Sequence, residues 1–177
     1  MKVPEKGKGG DFIPCPAGTH NAVCVDVIRL TDVARAFGDK SWTETQYKFV
    51  FQVEKAMPDG KRFIVQTFGM KESMHEKAKL RAFLEAFAGR KFEVGEDVDP
   101  DAFYGKPCFL TVVHKKGGQD GTLIYANLGG IAPPMEIDGA LVRPAISPDA
   151  NYVRVKDRPA EGVSEEAPDH DDSDVPF

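Results

Sequence analysis

Two sets of residues in this 177-residue chain have types and spacings that can do chemistry, and in both the chemistry is recognition. The first is the closing stretch Asp169-His170-Asp171-Asp172-Ser173-Asp174-Val175-Pro176-Phe177. Its acids supply long-range attraction. The apolar tripeptide that follows ends on a phenylalanine whose side chain and carboxylate can enter a pocket lined with basic groups. Asp171, Asp172, Asp174, Val175, Pro176 and Phe177 are the candidate partner-binding residues. The plainer alternative is a disordered end that only keeps the protein in solution. The second set is cationic and aromatic: Trp42, Lys48, Lys61, Arg62, Phe68, Lys115, Lys116 and Tyr125. Cations neutralise phosphates and flat rings accept stacked bases, each stack worth about 1–3 kcal/mol. Trp42 stands alone among polar neighbours, Ser41-Trp42-Thr43-Glu44-Thr45, and is the first choice for stacking.

Other chemistries find little support. Cys15, Cys24 and Cys108 are widely spaced and odd in number, which argues against a disulfide framework and a cysteine-rich zinc site. His20, His75, His114 and His170 are scattered. Asp97, Asp99 and Asp101 alternate like the start of a calcium loop. That loop needs Gly sixth and Glu twelfth, where this chain has Ala102 and Cys108. No catalytic triad, phosphate loop or nucleophile elbow is present. The expectation is a binding protein with no cofactor and no metal, not an enzyme.

Charge is distributed unevenly. Residues 161–177 hold seven of the 28 acids and no base, leaving 21 acids against 23 Lys and Arg before them. The net charge of −5 therefore combines a body at formal +2 with an acidic arm. No run approaches the roughly 18 apolar residues of a membrane helix, and the Lys- and Gly-rich start lacks the apolar stretch of a signal peptide. A cytoplasmic protein without membrane contact is expected.

The elements that must position these residues are mostly strands. Residues 19–30 form a first run, with Val23, Val25 and Val27 on one face and Ala22, Cys24 and Asp26 on the other. A break over 32–40 precedes a second run, in which Tyr47, Phe49, Phe51 and Val53 alternate with Gln46, Lys48, Val50 and Gln52 and read as core. The turn Met57-Pro58-Asp59-Gly60 joins it to a third run, 62–68, on which Phe63 and Phe68 take opposite faces. Ser73 and Glu76 match a capping box. Leu80, Phe83, Leu84 and Phe87 then follow at helical spacing up to Gly89. Asp99-Pro100 opens a short helical turn around Phe103. Residues 109–114 and 123–128 supply two more strands about the glycine-rich loop that carries Lys115 and Lys116, and Tyr125 can serve either face.

Three strands, a helix and two strands predict an all-β to α+β protein: a five-stranded OB-fold barrel with its helix between strands 3 and 4. Residues 1–18 read as a flexible lead-in, 19–134 as the barrel, 135–168 as a Pro-rich linker and 169–177 as an acidic tip. Such barrels commonly present strands 2 and 3 and the neighbouring loops to oligonucleotides.

The ending Asp171-Asp172-Ser173-Asp174-Val175-Pro176-Phe177 resembles the acidic tip of bacterial single-stranded-DNA-binding proteins. Serine within the aspartates and valine before proline are departures that keep charge and apolarity. The body lacks the arginine-rich opening of those proteins. Its segments Phe68-Gly69-Met70-Lys71, Gly105-Lys106-Pro107-Cys108 and Tyr125-Ala126-Asn127-Leu128 are similar to phage and prophage proteins with an OB-type core. The resemblance implies sequence-nonspecific single-stranded DNA binding during phage DNA replication, recombination or repair, inside a bacterial cell or infected host. It also implies a tip that recruits replication, recombination and repair proteins, and an acidic arm that competes with DNA for the basic groove. A homo-oligomer is compatible with it. The competing readings are a structural or adaptor phage protein whose barrel binds protein, and a metal-dependent nuclease.

Overall fold

A computed structural model describes residues 13–118, 121–159 and 177 of the chain. Its body is one six-stranded, nearly closed, barrel-like sheet with a single α-helix among the described residues. The long strands are β1 (Gly18–Phe37), β2 (Lys40–Ala56), β3 (Arg62–Gln66), β5 (Pro107–Gly117) and β6 (Leu123–Ala132), hydrogen-bonded in the order β3-β2-β1-β5-β6. A two-residue strand, β4 (Met70–Lys71), adds to β2, and β3 and β6 approach each other across the remaining gap. Helix α1 (Lys79–Ala88) follows β4, so a short extra strand stands between the expected third strand and the helix. A small ribbon of β7 (Glu136–Ile137) and β8 (Ala140–Leu141) lies beyond β6.

The core is built by the aromatic face of β2 and the stripe of α1. Phe49, Phe51 and Val53 are fully buried, as are Phe83 and Leu84, with Leu80 and Phe87 close behind. Phe49 meets Phe83 at 4.7 Å between ring centroids, and Phe51 meets Phe87 at 5.8 Å. Tilted and edge-on rings suit the aromatic quadrupole, and each buried ring is worth about 1.5–3 kcal/mol in transfer alone. Phe103, in the turn opened by Asp99 and Pro100, closes on Phe87 at 4.9 Å. Gly89 ends α1 in the left-handed region at φ 71°, where a side chain would also strike Pro133. Glu85 braces that end. It accepts the Phe92 amide and ion-pairs with Lys91 and Arg81, and the amide bond foremost holds its carboxyl down at about 2.

Several expectations change. The break over 32–40 is absent: β1 continues to Phe37 through one bulge, where Asp32 takes a φ of 54° and the register shifts between Leu30 and Val33. A Gly38-Asp39 turn then leads directly into β2. A second bulge, between Cys24 and Asp26, reverses the facing of β1. Ala22, Cys24 and Val27 consequently join the main core, while Val23 and Val25 form a second cluster with Val50. The capping box does not form. Ser73 Oγ accepts the His75 amide in a local turn, and α1 begins at Lys79 behind an uncapped Ala78.

Both ends of the body are tied down further than the composition suggests. Cys15, in the expected flexible lead-in, is buried in the main core, and its carbonyl lies 2.7 Å from His114 Nε2. Residues 144–157, within the expected Pro-rich linker, run as a strap over the outer face of β1 and β2. Ile146 and Tyr152 cover Val23, Val25 and Val50. Asn21 donates to the Pro144 carbonyl at 2.9 Å, and Gln52 Oε1 accepts the Asp149 amide at 2.9 Å. The lock is Asp26, 1% exposed, which accepts Arg154 Nε at 3.1 Å, the Tyr152 hydroxyl at 3.2 Å and the Val155 amide at 2.8 Å. Arg154 also reaches Asp101 and lies 4.3 Å from the centre of the Tyr104 ring. Burial, reinforced by the Asp26 charge, pushes the Tyr152 hydroxyl up to about 12. No buried side-chain polar atom among the described residues lacks a partner, so the strap is a satisfied structural element.

Candidate functional site

The continuation of β1 and β2 beyond the barrel makes a two-stranded ribbon with unequal faces. Cross-strand partners share a face. Val33 faces Glu44, Arg35 faces Trp42 and Phe37 faces Lys40 on one side; Ala34 faces Thr43 and Ala36 faces Ser41 on the other. One side is therefore small and bland, and the other carries two aromatic rings, two cations and one acid. Phe37 is 81% exposed and Trp42 42% exposed, although neither is needed by the core. Trp42 donates its indole N–H to Glu44 at 3.2 Å, and Gln46 donates to the other Glu44 oxygen at 2.8 Å. Burial opposes the charge on Glu44. The two hydrogen bonds, with Arg35 at 3.5 Å, outweigh it and hold the carboxyl below its ordinary range. This anchors the indole N–H on Glu44 while Trp42 stays exposed on the ribbon.

Toward the barrel the same side opens into a cavity of about 460 Å³. Arg35, Trp42, Glu44 and Gln46 form one wall; Phe68, Gly69, Met70 and Lys71 form another; the turns leading into α1 bring His75, Lys77 and Lys79. Gln46 packs so closely over Gly69 that a β-carbon there would overlap its side-chain oxygen. Phe177 also lines this cavity, with its ring edge-on to Phe83 at 5.5 Å between centroids.

The residues expected to contact DNA do not all gather here. Trp42 and Phe68 share the cavity. Lys48 is half-buried on β2, opposite Ile28. Arg62 is engaged by the strap, donating to Gln52 and, at 2.6 Å, to the Ser147 carbonyl; Lys61 is exposed at the turn beside it. Lys115, Lys116 and Tyr125 stand on the β5–β6 hairpin, which pairs with residues 18–23 and continues past Gly18. They thus lie toward the opposite end of β1 from the ribbon. Tyr125 packs across Gly117, where a β-carbon would meet its ring at 2.5 Å. Asp171, Asp172, Asp174, Val175 and Pro176 lie outside the described residues.

Arg35, Phe37 and Lys40 were missed because 32–40 reads as a break. The signal was the alternation Val33, Arg35, Phe37 ahead of Gly38-Asp39, a two-residue hairpin turn. Lys71, Lys77 and Lys79 had no pattern of their own; the pairing of β4 with β2 sets Lys71 opposite Gln46, and the segment entering α1 brings Lys77 and Lys79 to the same cavity.

Among the described residues no cluster of His, Cys, Asp or Glu is arranged to hold a metal ion, and no helix is long and apolar enough to cross a membrane. The chain matches no protein-family model and no curated protein.

Proposed function

We propose that this protein binds single-stranded DNA without sequence preference, using an OB-type barrel extended by the β1–β2 ribbon, and recruits other proteins through its acidic C-terminal tip. The observation that carries this reading is the unequal ribbon: Arg35, Phe37, Lys40 and Trp42 share one exposed side, while Ala34, Ala36, Ser41 and Thr43 occupy the other. Exposed rings interleaved with cations suit a strand whose bases stack and whose phosphates need neutralising. The loop between the first two strands is also one that OB barrels give to oligonucleotides. The strap over the outer face of β1 and β2 leaves the ribbon and the cavity at its foot as the favoured path. Lys115 and Lys116 form a second phosphate-contacting point at the far hairpin.

The tip's likeness to those of bacterial single-stranded-DNA-binding proteins supports a role in DNA replication, recombination or repair in a bacterial or phage-infected cytoplasm. The sole tryptophan makes the reading easy to test. Oligo-dT should quench Trp42 emission, a duplex of equal length should not, and the affinity should fall with salt at a logarithmic slope of about −0.7 per phosphate contacted. Equal quenching by duplex, or none by oligo-dT, would reject single-strand binding at the ribbon.

A further inference from the structure

We propose that the cavity at the foot of the ribbon is a receptor for a nucleotide carrying a phosphate monoester, and that its ligand is the phosphorylated end of a DNA strand. The site deepens the single-strand reading and rests on it: the ribbon holds the body of the strand, and the cavity takes its terminus. The space measures about 460 Å³ with Phe177 in place, so a ligand needs no movement of the chain's own end. Small-ligand sites commonly span about 300–1,000 Å³. Trp42 and Phe68 both line it and supply ring surface for one base.

Charge decides between the middle of a strand and its end. Arg35, Lys71, Lys77 and Lys79 line the cavity against one carboxylate, Glu44, and Glu44 is already answered by Arg35 at 3.5 Å. The three lysines are exposed, and none of them enters an ion pair among the described residues. Their acidic neighbours do not help. Glu72 pairs with Arg29 and accepts the Tyr47 hydroxyl, and neither Glu72 nor Glu76 lines the cavity. Three like charges around one concave space repel each other and focus a field that draws in an anion. A phosphodiester within a strand brings one negative charge. A phosphate monoester brings about 1.5 to 2 near pH 7 and more oxygens to share among point-charge donors. The lysine cluster therefore suits a strand terminus better than a strand interior.

Trp42 lines the cavity and is the sole tryptophan, so its emission reports binding there. The test titrates the full chain with oligo-dT of one length carrying a 5′-phosphate, a 3′-phosphate or neither, and compares thymidine 5′-monophosphate with thymidine. One phosphorylated end should bind about fivefold tighter than the bare strand, and the margin should shrink as salt rises. A bare oligo-dT one nucleotide longer, which adds an internal phosphate, should gain less. Lys71→Ala with Lys77→Ala and Lys79→Ala should erase the preference, with an unchanged urea midpoint showing the fold intact. Indifference to the phosphate in both strands and mononucleotide would overturn the receptor, as would a preference that survives the lysine substitutions. Oligo-dT that binds without regard to its ends, beside a preference for the monophosphate over thymidine, would overturn the strand end as the ligand. No binding of any oligo-dT, with the monophosphate still preferred, would sink the single-strand reading and leave a nucleotide site.

Discussion

Over residues 21–28 of β1 and the facing part of β2, the outer surface is closed by the strap, and every polar group brought there finds a partner: Asn21 with Pro144, Gln52 with Asp149, Asp26 with Arg154. Beyond Leu30 the same two strands leave the barrel and expose Arg35, Phe37, Lys40 and Trp42. Both stretches are paired in the same antiparallel ladder, so backbone pairing does not separate them. What differs is whether another part of the chain returns to cover the side chains. A buried carboxylate such as Asp26 is costly unless matched, and the strap supplies the match. Exposed rings and cations at the ribbon keep their water and remain available for a ligand.

The largest test of this contrast is removal of the strap's lock. Arg154→Ala leaves Asp26 buried without its cation, and breaking one side of such a pair costs about 3–5 kcal/mol. Trp42→Ala removes a side chain the core does not use and should stay within about 0.5 kcal/mol. Urea unfolding of the two variants reads this directly. Equal midpoints would mean that the strap is dispensable and the two regions are not different in kind.

Ligand affinity should divide the molecule the other way. Trp42→Ala is expected to lower affinity for oligo-dT by about 1–3 kcal/mol, the worth of one stacked base, with the fold intact. Arg62→Ala, which frees the Ser147 carbonyl, should lose stability and leave affinity nearly unchanged. Gel shifts at fixed salt separate these outcomes. A larger affinity loss for Arg62→Ala than for Trp42→Ala would move the strand back to the face under the strap.

The sequence made the barrel core plain, because Phe49, Phe51 and Val53 on β2 and Leu80, Phe83, Leu84 and Phe87 on α1 follow clean periods of 2 and 3.6. It concealed the bulges. Asp32 in the left-handed region interrupts the alternation of β1, so a strand that continues reads as one that ends, and half the ribbon face goes unseen. The strap was hidden for a different reason. Prolines 144, 148 and 159 break up any long element, but they do not prevent a segment from packing when Arg154, Tyr152 and Ile146 each have a destination on the sheet. Such destinations are long-range and leave no local period. The same applies to the cavity, whose lysines come from β4, from the approach to α1 and from its first residue, and meet only through the pairing of β4 with β2 and the docking of α1.

Acid provides the finest division of the strap from the ribbon. The hydrogen bond from Arg154 holds the Asp101 carboxyl below its ordinary range, with burial working against it. A carboxyl depressed in the fold contributes stability above its unfolded value, about 3.9, and loses that contribution as pH falls through the lower folded value. Asp101 is half exposed, so water and salt screen the pair, and its share is about 1 kcal/mol or less. Asp101→Asn should therefore be slightly less stable than the unaltered protein at pH 6, and the difference should shrink as the pH drops below about 3.9. The same substitution should leave Trp42 quenching by oligo-dT at pH 6 unchanged, because Asp101 braces Arg154 under the strap and lines no part of the ribbon. A stability difference that persists undiminished into acid would show that Asp101 acts through packing rather than charge, and the strap would then be held by Asp26 alone.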